Sequence, residues 1–141
     1  MKNYFKYLID NKEQRSITLS LLSLGIILVI VAFVVGIEDN LLGILLLMFG
    51  FGSIVFAFVH SWKTPKKFLI LLLVSVIGFI GSVLFHNIFD VFADMNKETM
   101  IIHNILNSFS IVFFFLGVII FPIVALIAIG GSIIMYIKNE N

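Results

Sequence analysis

Polar residues punctuate this chain only at wide intervals, and between them stand four long apolar runs, Ile17–Ile37, Leu41–Trp62, Phe68–Phe89 and Ser108–Ile137. None of the four contains Asp, Glu, Lys or Arg. An α-helix rises about 1.5 Å per residue, so roughly 20 apolar residues cross a hydrocarbon core about 30 Å thick. Every run reaches that length. None alternates apolar and polar positions with a period of two, as barrel strands facing lipid would. The pattern therefore predicts an all-α, polytopic integral membrane protein: four transmembrane helices in an antiparallel up-down bundle, forming one membrane domain over residues 1–141. No small-x-small cleavage site follows the first run, so Ile17–Ile37 is expected as an uncleaved helix rather than a removable leader.

The connections sharpen this topology. Glu38-Asp39-Asn40 joins the first two runs and Lys63-Thr64-Pro65-Lys66-Lys67 joins the next two, and links this short force successive helices to be antiparallel neighbours. Thr64 is expected at the N-cap of the third helix, its hydroxyl accepting from a free backbone N–H, with Pro65 at the first helical position, where no donor is needed. Ser16 is expected to cap the first helix in the same way.

Charge then gives the topology a direction. Lys2, Lys6, Lys12, Arg15, Lys63, Lys66, Lys67 and Lys138 fall on one side of the expected bundle, and of the nine basic residues only Lys97 falls on the other. Cytoplasmic loops retain Lys and Arg, so both termini are expected in the cytoplasm, and the location is expected to be a prokaryotic plasma membrane. The outer side collects Glu38, Asp39, Asp90, Asp94 and Glu98. Trp62, Tyr136 and Tyr7 fall where aromatic rings favour the inner interface. Over residues 1–15, Tyr4, Phe5, Leu8 and Ile9 oppose Lys2, Lys6 and Asp10 at helical spacing. Two readings compete there, a short interfacial helix and a frayed basic leader.

Composition narrows the chemistry. Apolar residues make up 61% of the 141 and charged residues only 12%, more hydrocarbon-like surface than a soluble domain of this size can bury, so the lipid bilayer is the first expected partner. A net charge of +1 with no long basic run argues against nucleic acid. The absence of cysteine removes disulfides, thiolate metal sites and thiol nucleophiles. No cofactor motif is present, and no carboxylate or ammonium occupies a span centre, which counts against a proton-coupled carrier.

Within the spans, small residues recur four apart, as Ser16/Ser20, Ser53/Ala57/Ser61, Gly78/Ser82 and Ala128/Ser132, where they would let helices approach closely. Pro122 in the fourth run removes a backbone donor and predicts a bend. A straight helix from Leu106 to Ile137 would be about 48 Å long, well beyond the hydrocarbon thickness.

The one stretch with candidate chemistry is an outer amphipathic loop over 86–107. His86, Asp90 and Asp94 fall at helical spacing on one stripe, opposite Phe85, Ile88, Phe89, Phe92 and Met95, and His103 follows. Imidazole and carboxylates together suit a divalent metal ion such as zinc or nickel, so His86, Asp90, Asp94 and His103 are the candidate ligands. The competing reading is that a helix end meeting water turns polar and its His and Asn satisfy backbone groups. Asn104, Asn107, Ser108 and Ser110 either line an external vestibule or cap the next helix. No pairing of nucleophile with base points to a catalytic residue. The expectation is a non-enzymatic accessory, structural or interaction subunit packing with itself or with partner membrane proteins. A small oligomeric channel or transporter lined by Ser, Gly and Asn is the alternative, and a protein with an external metal site at the four candidate ligands the third reading.

Overall fold

A computed structural model of the chain describes residues 12–37 and 40–140. Within them the protein is all-helical: α1 (Lys12–Val35), α2 (Leu41–Val59), α3 (Pro65–Met95), α4 (Met100–Phe115), a π-helical turn (Leu116–Ile120) and α5 (Phe121–Glu140). Four helical segments are long and apolar enough to cross a membrane, namely α1, α2, α3 and the run Met100–Lys138 formed by α4, the π turn and α5. The leader over 1–15, read either as an interfacial helix or as a frayed basic segment, lies mostly outside the described residues, as do Glu38 and Asp39. The chain divides into two compact units, Met1–Lys63 and Thr64–Asn141. Each contains a helical hairpin.

In the first hairpin the buried positions of α1 are Thr18, Gly25 and Ala32, seven residues apart, and those of α2 include Gly43, Gly50 and Ala57 at the same spacing. Seven residues are close to two helical turns, so both sets form straight seams along one face. A Cβ on Gly25 would stand 2.8 Å from the Gly50 carbonyl oxygen, and one on Gly50 would stand 3.0 Å from the Gly25 carbonyl oxygen. The backbones thus approach closely, with the Ile54 and Val29 side chains packed against the two glycines. Toward the turn, a Cβ on Gly43 would strike the Gly36 carbonyl oxygen. Gly36 itself ends α1: its φ of +90° is left-handed, and its N–H bonds the Ala32 carbonyl at 3.0 Å. Asn40 ties the two helices together. Its side-chain oxygen accepts from Leu42 N–H at 3.1 Å and Gly43 N–H at 3.4 Å, and its amide donates to the Val35 carbonyl at 3.1 Å.

The second hairpin repeats the spacing. Phe68, Ser75 and Ser82 are the buried positions of α3 along most of its length, again seven apart. Two phenyl rings lie on glycines of the facing helix: a Cβ on Gly131 would run into the Phe68 ring, and one on Gly78 into the Phe121 ring. Small residues thus recur along the seams at a spacing of seven, and of the expected pairs four apart Gly78 and Ser82 both face the last helical run, at Phe121 and Gly117. Ser16 and Ser20 are exposed, while Ser82 and Ala128 are buried.

Several expected boundaries shift. Ser16 lies inside α1, which already runs from Lys12, so it caps nothing. Thr64 does occupy the N-cap of α3 with Pro65 following, but its hydroxyl makes no capping bond. The stretch 86–107 is not a loop. α3 continues to Met95 and α4 begins at Met100, because Asp90 to Met95 are compatible with a helix that has left the apolar zone. Where a bend is expected at Pro122, the structure has a π-helical turn just before it. Phe121 N–H, the last donor before the proline, bonds the Leu116 carbonyl five residues back instead of the Gly117 carbonyl four back.

Candidate functional site

The polar end of the second hairpin is built around a tight turn over Asn96–Thr99. Asn96 N–H bonds the Ala93 carbonyl at 3.1 Å, Thr99 N–H bonds the Asn96 carbonyl at 3.0 Å, and the Asn96 side-chain amide donates to the Phe92 carbonyl at 2.8 Å. The last carbonyls of a helix lack intrahelical donors, and here side chains supply them. His103 does so from α4: its Nδ1 lies 2.9 Å from the Ala93 carbonyl oxygen. A carbonyl only accepts, so this Nδ1 carries the proton and the free position of the ring is Nε2.

About two turns back along α3 from Ala93, His86 makes a second cross-link. Its Nδ1 lies 2.8 Å from Ser110 Oγ and 3.1 Å from the Ser110 carbonyl oxygen. Ser110 is 2% exposed and His86 is half-buried, with the imidazole also packed on Phe114 at a centroid distance of 5.3 Å. Beside this pair the two helices interleave four rings. Phe113 stacks on Phe85 at 5.1 Å and on Phe89 at 5.6 Å, and Phe89 stacks on Phe109 at 5.4 Å. Offset stacking at these separations favours one rotational setting of α3 against α4, and that setting brings His86 to Ser110.

The carboxylates point elsewhere. Asp90, Asp94 and Glu98 are exposed, and Asp94 pairs with Lys97 at 3.0 Å in an equally exposed ion pair. Among the described residues no three His, Asp or Glu side chains converge to hold a metal ion. His86, Asp90 and Asp94 therefore remain a stripe along α3. His103 turns to the end of that helix, and the two imidazoles serve separate helix-to-helix joints.

The remaining polar groups are also turned inward on their own helices. Asn87 donates to the Val83 carbonyl at 2.8 Å and Ser108 to the Asn104 carbonyl at 2.7 Å, and both residues are exposed. Of the polar residues at the start of the fourth run, only Ser110 is buried. Ser110 and His86 have the atoms of a hydroxyl–imidazole pair, and with Ser110 2% exposed that pair stands enclosed between the two helices it joins. In the first hairpin, His60 stands at the end of α2 with Nδ1 3.0 Å from the Ala57 carbonyl oxygen, which again places the proton on Nδ1. Its Nε2 is enclosed without a hydrogen-bond partner.

The partner of His86 was the feature least visible in the sequence, although a signal exists. Folding the chain about a turn at 96–99 brings residue 86 opposite residues 109 and 110. Comparison of the chain with models of protein families, with curated proteins and with solved structures finds no match.

Proposed function

We propose that this chain crosses a prokaryotic plasma membrane four times as an antiparallel bundle with both termini in the cytoplasm. It acts there as a non-enzymatic accessory or interaction subunit, assembling with copies of itself or with other membrane proteins. The orientation rests on the placement of basic residues, eight of the nine falling on one side of the spans.

The observation that carries the functional reading is where the polar groups of the spans are used. Thr18 bonds the Gln14 carbonyl, Ser53 the Phe49 carbonyl and Ser75 the Leu72 carbonyl, each on its own helix, while His86–Ser110 and His103–Ala93 join neighbouring helices. These polar groups thus serve the helices themselves, three within one helix and two between neighbours. Large apolar side chains such as Val34, Leu41, Phe49, Leu126 and Ile134 are left facing outward, where lipid or another membrane protein covers them.

Photo-crosslinking groups placed one at a time at these outward positions test the reading. Discrete protein adducts from one face, with lipid adducts from the others, are expected. Lipid adducts alone from every position would count against it, and solute-selective flux from proteoliposomes of the purified protein would favour the channel reading instead.

A further inference from the structure

Around Pro122 the hydrogen bonds of the last helical run do not close. In an α-helix the Gly117 carbonyl accepts from residue 121, and in a π-helical continuation it accepts from residue 122. Phe121 N–H goes to Leu116, and proline has no N–H. Gly117 therefore loses both intrahelical donors, and Val118 loses its α-helical donor to the same proline. Gly117 is buried, and in hydrocarbon an unmatched backbone carbonyl is costly enough that neighbouring hydroxyls or ordered waters ordinarily satisfy it.

A hydroxyl stands opposite. Ser82 of α3 is 4% exposed, and its Cβ lies 3.4 Å from where a Cβ on Gly117 would be. Each of the other buried hydroxyls, those of Thr18, Ser75 and Ser110, has a hydrogen-bond partner. That of Ser82 makes no hydrogen bond within the described residues. Ser82 lies about 21 Å along α3 from Phe68, within a hydrocarbon core about 30 Å thick. One turn further outward is the His86–Ser110 pair.

We propose that Ser82 and the carbonyls freed by Pro122 bind one water molecule. The water oxygen accepts from Ser82 Oγ–H, and its hydrogens go to the carbonyl oxygens of Gly117 and Val118. This gives it three partners, the usual number for a buried water. The ligand is neutral because the spans Phe68–Phe89 and Ser108–Ile137 contain no Asp or Glu to balance a cation. Ser82 is thus the polar complement, on α3, of the proline in the facing helix.

Gly117–Val118 is the only Gly-Val step in the sequence, so carbonyl-13C glycine with 15N valine marks a single peptide bond. Solid-state NMR of the full chain in lipid bilayers then measures magnetisation transfer from water to the Gly117 carbonyl. Transfer several-fold faster than to the bulk of the labelled glycine carbonyls is expected. It should be lost in Ser82→Val, and also in Pro122→Ala, where the restored N–H closes the helix. A wild-type Gly117 carbonyl no faster than the other glycines would overturn the proposal without any variant, and so would undiminished transfer in Ser82→Val.

Discussion

His86 Nδ1 lies 2.8 Å from Ser110 Oγ, and this contact joins α3 to α4 across a seam otherwise made of small and aromatic groups. Side-chain hydrogen bonds between membrane helices contribute about 0.6 to 2 kcal/mol. In a double-mutant cycle on unfolding in mild detergent, His86→Ala and Ser110→Ala should be non-additive by about 1 kcal/mol. His86→Ala should cost the more of the two single variants, because it also removes the ring packed on Phe114.

Two pairs of glycines make opposite cases. A Cβ on Gly25 or Gly50 would approach the facing backbone carbonyl, whereas Gly81 and Gly130 have nothing within 4 Å. Gly25→Ala and Gly50→Ala should each destabilise the first hairpin by about 1 to 3 kcal/mol, the usual cost of overpacking. Gly81→Ala and Gly130→Ala should be neutral or stabilising by up to about 1 kcal/mol through helix propensity. Thermal melts of the four variants check this, and equal destabilisation by all four would contradict the packing described.

Asn40 serves both ends of one turn, accepting from the first N–H groups of α2 and donating to the Val35 carbonyl of α1. Asn40→Ala should cost about 1 to 2 kcal/mol, toward the upper end for a cap. Asn40→Asp keeps the acceptor and loses the donor, so its melting temperature should fall between those of wild type and Asn40→Ala.

Much of this was readable from residue order. The four apolar runs delimit four helices because lipid demands continuous apolar length, and the short polar links force hairpins. The ends of α3 and α4 were not readable, since a helix continues past the last apolar residue wherever nothing breaks it, as Asp90 to Met95 do not. The seams were partly readable: Gly78 and Ser82 stand among the expected pairs four apart, but in so biased a sequence only packing selects Gly25 and Ser75. Pro122 announced an irregularity but not its form, which depends on Phe121 N–H reaching back to Leu116. Of the four candidate metal ligands, the sequence located the polar end correctly. The competing reading, in which the histidines satisfy backbone groups, fits His86 and His103 at the Ser110 and Ala93 carbonyls, but the particular partners follow only once the chain is folded about the turn at 96–99.

The native chain contains no cysteine, so single-cysteine variants give clean topology readings. In intact cells, Asp94→Cys should react with a membrane-impermeant maleimide and Lys138→Cys only after permeabilisation. Both positions are exposed, so labelling reports the side of the membrane. The opposite pattern would invert the orientation, and labelling of both in intact cells would point to dual insertion.

Whether this chain works in association is tested most directly by its mass in the native bilayer. Extracted in polymer-bounded lipid discs without detergent and measured by native mass spectrometry, it should appear as a defined assembly, either several copies or one copy with a partner membrane protein. A lone 15.9 kDa chain, with every other membrane complex intact after its deletion, would contradict the account.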